Sequence, residues 1–333
     1  MSLPARTLVL AAVVAVASSP THAYLKIGTS FGSDALSLKW RPGTIAYFVS
    51  TAGSEDVSPD ELEAAVARGF ERWNTVATAE VDFRFGGFVS NAPFDADDVN
   101  TIGFADRPEL DRVLASTGLT YDTRTGEVLE ADIFFNSAFD WSGSEAAQPG
   151  RFDLEAIATH EAGHFLGLGH SALGETERVP SGGRRLIASA AVMFPIAFGP
   201  GNISGRALRA DDIAGVSDIY PRSRFRQSSG SIQGRITKGG RGVFGAHVVA
   251  FNLRTQDLVG NFTLDDNGGF VIAGLTPGLY VVRVEPLDDG ELSSFFDGVE
   301  PDDVAFSPRF HDRIVVVPAG GTSELVDVAV EGR

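Results

Sequence analysis

The apolar positions of this chain change rhythm several times. An almost continuous apolar run, Leu8 to Ala17, follows the lone charge of Arg6 and ends in Thr21-His22-Ala23. This is the pattern of a secretory signal, residues 1–23, cleaved after Ala23; the run is too short to span a membrane. Thr44 to Val49 then reads as a strand. Ser58-Pro59-Asp60-Glu61 supplies an N-cap, a proline at the first helical position and a capping box. Behind it Leu62, Ala65, Val66, Gly69, Phe70 and Trp73 fall on one helical face, which predicts an amphipathic helix to about Asn74. Val81 to Phe85, Thr101 to Ala105, Val113 to Thr120 and Glu127 to Asn136 read as further strands. A second helix starts near Asp153, with Leu154, Ile157, Ala158 and Phe165 inward, and a last one runs from Asp211 to Tyr220, stopped by Pro221. Strands, then a helix, then a looped segment and a final helix predict an α+β domain over residues 34–221.

Beyond this the helical period vanishes. Residues 222–229, with three arginines and three serines, read as an exposed linker. Short β-rich runs then recur near 231–236, 246–253, 257–264, 269–273, 278–285, 313–317 and 324–330, separated by Gly, Pro and Asp turns. Seven short strands predict an all-β sandwich over residues 230–333.

Composition narrows the partners. Lys and Arg number 27 against 44 Asp and Glu, a net charge of −17. That argues against nucleic acid and anionic membranes, which need a basic face. It is compatible with bound calcium. No other segment is long and apolar enough for a transmembrane helix, so the expectation is a secreted monomer, extracellular or periplasmic. The absence of cysteine excludes disulfides, leaving the core and any bound metal to hold the fold.

The densest chemistry is His160-Glu161-Ala162-Gly163-His164-Phe165-Leu166-Gly167-Leu168-Gly169-His170. Histidines four apart stack on one helical face, one turn apart, so two imidazoles can converge on one zinc ion. His170 cannot belong to the same regular helix, because six residues place it roughly 240° around the axis from His164. The chain must turn back, and Gly167 stands where a helix-ending, left-handed residue is needed. Three nitrogens leave a fourth zinc position open for water, and Glu161 can reach that water as a general base without being a ligand. Asp95, Asp97 and Asp98 read more simply as a solvated loop than as a calcium site. Asp132 is open to either a calcium-ligand or a hydrogen-bond-acceptor role.

These residues resemble the metzincin zinc proteases, and among them the matrixins. Ala191-Val192-Met193-Phe194-Pro195 resembles the Met-turn of that group, with Met193 beneath the metal; Ser171 follows the third histidine as is usual there. Asp211-Asp212-Ile213-Ala214-Gly215 and Ile219-Tyr220 resemble its last helix. The resemblance covers residues 40–221 and implies a twisted mixed sheet plus three helices. It also implies one catalytic zinc on His160, His164 and His170, Glu161 as base, and Asp212 bracing the Met-turn. A protein or peptide substrate would lie along the edge strand at Leu114 and Ala115, with Pro195, Ile196 and Ala197 walling its pocket. Four departures matter. No cysteine is available for propeptide latency. The histidines for a second, structural zinc are missing. Asn136 and Phe139 stand where the group carries calcium-binding acids. The 22 residues between His170 and Met193 predict a mobile surface loop over Gly174 to Arg185. Downstream, Ile232-x-Gly234, Gly245-Ala246-x-Val248, Asp266-Asn267-Gly268-Gly269-Phe270 and Gly274-Leu275-x-Pro277-Gly278-x-Tyr280 resemble the carboxypeptidase regulatory-like, transthyretin-like module.

The expected function is therefore a secreted zinc endopeptidase. A secreted binding or adhesion protein with an idle metal domain is the alternative, disfavoured by the intact Glu161.

Overall fold

The computed structural model describes residues 8–9, 25–31, 34–180, 183–287, 295 and 305–332. The expected signal segment and its cleavage site lie outside them, except Leu8–Val9. These two residues form β1. Gly28–Phe31 (β2) and Asp34–Ser37 (β3) pair as a small antiparallel ribbon.

The main sheet adds β4 (Ile45–Ser50), β5 (Phe83–Val89), β6 (Thr101–Ala105), β7 (Ala115–Tyr121) and β8 (Val128–Asn136), in the order β1-β7-β8-β6-β4-β5. The β4, β5, β6 and β8 neighbours pair parallel, while β7 runs antiparallel to β8 with Thr117 opposite Ile133. The sheet is therefore mixed. On the outer edge of β7, β1 covers only Leu119 and Thr120.

Helix α1 (Pro59–Asn74) forms where its cap predicts. The Ser58 amide donates to Glu61 Oε2 at 2.9 Å, and the Glu61 amide returns to Ser58 Oγ. Its buried face is Leu62, Ala65, Val66, Gly69, Phe70 and Trp73, the stripe expected from the sequence. Gly69 lets a second helix, α2 (Leu154–Phe165), cross closely: a side chain there would sit 3.0 Å from the Thr159 amide. Trp73 Nε1 donates to the Thr159 carbonyl at 2.9 Å across the crossing. Fully burying aromatics such as Phe70 and Trp73 contributes on the order of 2–3 kcal/mol each. Two short strands, β9 (Trp141–Ser142) and β10 (Phe152–Asp153), precede α2.

The segment expected to be a mobile loop is a β-hairpin instead. Gly174–Arg178 (β11) pairs antiparallel with Arg184–Ser189 (β12). Its strands have too few apolar residues for their alternation to stand out, and backbone pairing sets the structure. Helix α3 (Ala210–Ile219) closes this part. The Tyr220 hydroxyl donates to the Leu166 carbonyl at 2.9 Å, tying the end of α3 to the end of α2.

The expected linker contains a short helix, α4 (Phe225–Ser228), with Phe225 buried. Among the described residues nine strands follow: β13 (Gly230–Lys238), β14 (Arg241–Gly242), β15 (His247–Asn252), β16 (Leu258–Phe262), β17 (Gly269–Leu275), β18 (Gly278–Glu285), β19 (Arg309–Phe310), β20 (Val315–Val317) and β21 (Val326–Val330). Seven correspond to the expected runs, and β14 and β19 are two-residue additions too short for a pattern. Strands β13, β14, β17 and β21 make one sheet, and β15, β16, β18, β19 and β20 the other, with β16 at an edge. Ile232, Phe270 and Val328 of the first share one core with Val248, Val282 and Val317 of the second.

Candidate metal centre

Helix α2 presents His160 and His164, and the chain then reverses to bring back His170. Asp153 caps the helix through its Oδ1, which accepts from the Ala156 amide at 2.7 Å. At the other end Gly167 takes a φ of +90°. The Leu168 amide donates to the Gly163 carbonyl at 2.9 Å and the Gly167 amide to the His164 carbonyl at 2.8 Å, the two bonds of a Schellman stop. A side chain at Gly167 would run into the Leu38 carbonyl oxygen.

The three imidazoles converge. One ligand atom from each lies within 4.8 Å of the others, and among the described residues no other such cluster occurs. His164 Nε2 and His170 Nε2 are 3.1 Å apart. Two nitrogens bound tetrahedrally at about 2.0–2.1 Å from one zinc would stand about 3.3 Å apart, so the spacing fits that ion. The far nitrogens are engaged: His160 Nδ1 bonds the Val192 carbonyl at 2.7 Å, and His164 Nδ1 the Leu168 carbonyl at 2.8 Å. This fixes the tautomer that turns Nε2 toward the centre. Burial pushes the His160 pKa down, and His164 is driven further down by burial and by its two histidine neighbours. Neutral imidazoles are the ligand form.

Glu161 is buried beside them. Burial raises its pKa to about 7, opposed by a hydrogen bond from Thr117. That bond, Thr117 Oγ1 to Glu161 Oε2, is 2.6 Å. Thr117 was not singled out from the sequence. The alternation of β7 puts it on the same face as Ala115 and Leu119, but which face meets α2 is set by sheet packing.

Met193 is buried against the same helix. Any side chain at Gly163 would overlap its sulfur, so the glycine inside the motif makes room for Met193. Asp212 accepts from the Val192 amide at 2.9 Å, the Met193 amide at 3.1 Å and the Arg209 amide at 2.8 Å. It thus holds the turn whose Val192 carbonyl orients His160. Burial raises the Asp212 pKa to about 6 despite these donors. Its neighbour Asp211, pushed to about 7 by burial and the Asp212 charge, takes a hydrogen bond from the Ser171 side chain.

A cleft of about 780 Å³ opens at the histidines. Leu114, Ala115, Pro195, Ile196 and Ala197 all line it, as does Leu186 of the hairpin. Asp132 lies elsewhere, with Oδ2 accepting from the Phe94 amide at 2.6 Å and Oδ1 from the Thr101 amide at 2.7 Å. Both oxygens serve the backbone, which accounts for its burial through the acceptor role. Asn136 donates from Nδ2 to the carbonyls of Arg107, Leu110 and Val113. A carboxylate there would face three carbonyl oxygens, a physical reason for the departure from the group's acid.

Residues 39–180 match the matrixin family model. The chain is 27% identical over 210 residues to metalloendoproteinase 1-MMP of Arabidopsis thaliana, covering 57% of this chain and 47% of that protein. Rat (Rattus norvegicus) matrilysin is 28% identical over 194 residues, covering 55% and 58%. Human (Homo sapiens) matrix metalloproteinase-20 is 27% identical over 200 residues, covering 56% and 33%. The chain spans less than two thirds of the length of each. These matches support a zinc metalloprotease at family level, and the histidine triad of the matrixin-like part fits a zinc site. No helix among the described residues is long and apolar enough to cross a membrane.

Proposed function

We propose that the chain is a secreted zinc endopeptidase in which Glu161 is the general base and the C-terminal sheets are an accessory module. One observation carries the reading: three inward-turned histidines share α2 and its return loop with a buried, hydrogen-bonded carboxylate one residue along. Zinc held by His160, His164 and His170 would supply a Lewis acid that polarises the scissile carbonyl and acidifies a water. Glu161 takes the proton from that attacking water onto its carboxylate. Burial raises the proton affinity of this carboxyl, which suits it to accept the proton. The same carboxyl then delivers it to the leaving amine. Thr117 keeps the carboxylate turned toward the reaction. The substrate lies extended beside β7 at Leu114 to Gly118 by strand addition. Pro195, Ile196 and Ala197 wall the pocket for the side chain that follows the cut.

The test is cleavage of an unfolded protein by the purified chain, with zinc content measured in parallel. Wild type should cleave, lose activity to a chelator and recover with zinc. Glu161→Ala should keep its zinc and lose activity by about 10²–10⁴-fold. A zinc-loaded Glu161→Ala that cleaves as fast as wild type overturns the mechanism.

A further inference from the structure

The two parts of the chain meet directly behind the third histidine. Strand β16 is an edge strand, so alternate amides point away from its sheet. One of them, the Gly260 amide, donates to Asp211 Oδ1 on α3 at 2.8 Å. Asp211 is 5% exposed and also accepts from the side chain of Ser171, the residue after His170. Ser171 in turn donates its amide to the Met193 carbonyl at 2.9 Å. A continuous path therefore runs from β16 through Asp211 to the metal-site loop.

Packing around the path is tight and apolar. Leu25, Phe262 and Phe295 form one buried cluster. The Phe295 ring lies 5.5 Å from Phe262 and 6.4 Å from the His170 ring. The Leu25 carbonyl accepts from the Gly169 amide at 2.7 Å, holding the loop from the other side. Gly260 has no space for a side chain: a Cβ would lie 2.7 Å from His247 Nε2 and 3.3 Å from Leu173 Cγ. A cavity of about 20 Å³ between Asp211, His170, His247 and Gly260 has room for a single water.

We propose that β16 is a positioning element for the metal site, acting through the Gly260–Asp211–Ser171 path to hold His170 in its ligating position. This rests on the zinc reading of the three histidines. Asp211 is buried beside the carboxylate of Asp212, and each donor it loses leaves an acceptor that must find another partner. Without the Gly260 amide it turns away from Ser171, and the loop carrying His170 loosens. Groups that orient metal ligands in this way change metal affinity by about 10–100-fold when removed. The C-terminal sheets thus act as the outer wall of the metal centre, a role the residues of β16 do not advertise.

The experiment uses the full chain loaded with zinc, and reads zinc release to a chelator and the visible spectrum of the cobalt-substituted protein. Gly260→Val and the milder Gly260→Ala wedge the contact, Ser171→Ala cuts the path at the loop, and Val282→Ala weakens the C-terminal core away from the contact. Zinc release should rise about tenfold in the Gly260 and Ser171 variants, with an altered cobalt spectrum in both. The double variant Gly260→Ala with Ser171→Ala should release zinc no faster than the worse single one, because both break one path. Val282→Ala should lower the melting temperature and leave zinc release unchanged. Wild-type release and spectrum in the Gly260 variants overturn the inference while leaving the zinc site intact, as does equally fast release from Val282→Ala. If Gly260→Val does not fold, the Gly260→Ala and Ser171→Ala cycle decides. A wild-type chain that binds no zinc overturns this inference together with the proposed function.

Discussion

Thr117 and Glu161, 44 residues apart, share a 2.6 Å hydrogen bond in which the threonine hydroxyl donates to Oε2. The bond sets the direction of a carboxylate that is otherwise buried among apolar atoms and imidazoles. Thr117→Val keeps the shape and removes the donor. A hydrogen bond to a charged group is worth about 1.5–3 kcal/mol, so kcat should fall about 10–100-fold. KM should change little, and Thr117→Ser should restore most of the rate. Steady-state kinetics on zinc-loaded protein check this; full activity in the valine variant would remove Thr117 from the mechanism.

Glu155 joins α2 to α1 and to the segment before α3. It meets Arg68 at 2.7 Å, Arg72 at 2.8 Å and Arg206 at 3.5 Å while being 1% exposed. Burial opposes its ionisation, but the bonds from Arg72 and Arg68 and the Arg206 charge outweigh this and hold its pKa below 4.5. A depressed carboxylate contributes stability that is present above the ordinary value and lost as pH falls through the folded one. Wild type should therefore lose stability below pH 4.5 more steeply than Glu155→Gln. At neutral pH the variant should be less stable by about 3 kcal/mol, since Arg68 and Arg72 lose their carboxylate partner while Arg206 keeps Asp153. Denaturant titrations across that pH range measure both effects; parallel acid limbs would refute the assignment.

A side chain at Gly163 would compete with Met193 for one volume. Gly163→Ala should lower stability by about 1–3 kcal/mol through overpacking and weaken zinc binding by displacing the Met-turn. Adding Met193→Ala should recover part of both losses, so the pair is strongly non-additive. Melting curves and zinc titrations of the two singles and the double test this, and simple additivity would mean that the two residues do not press on each other.

Metal removal should soften the fold. A ligand that binds only the folded chain stabilises it by about 2.7 kcal/mol at a hundred times its Kd. For a chain of 333 residues that is about 4 °C in Tm. Calorimetry with and without chelator should show the drop in wild type and none in His164→Ala. An equal shift in both would place the metal elsewhere.

Features built from neighbouring residues were readable in advance. Ser58 to Glu61 announces α1, and the apolar stripe from Leu62 to Trp73 names the buried face. The hairpin β11–β12 reads as a loop in sequence because its pairing is between backbones and leaves little mark on residue choice. Asn136 could be flagged as a departure, while its three carbonyl partners could not be foreseen.

The metal motif itself is local chemistry. A helical turn spaces His160 and His164, a positive-φ glycine turns the chain, and His170 returns, all within eleven residues where bond geometry dictates who meets whom. What surrounds the motif is long-range. Thr117 reaches Glu161 from a strand, Asp212 reaches the Met-turn from the last helix, and Gly260 reaches Asp211 from another sheet. Each of these donors and acceptors is ordinary in its own stretch of chain. Packing chooses the partners, because a buried polar group must find one wherever the folded elements happen to converge.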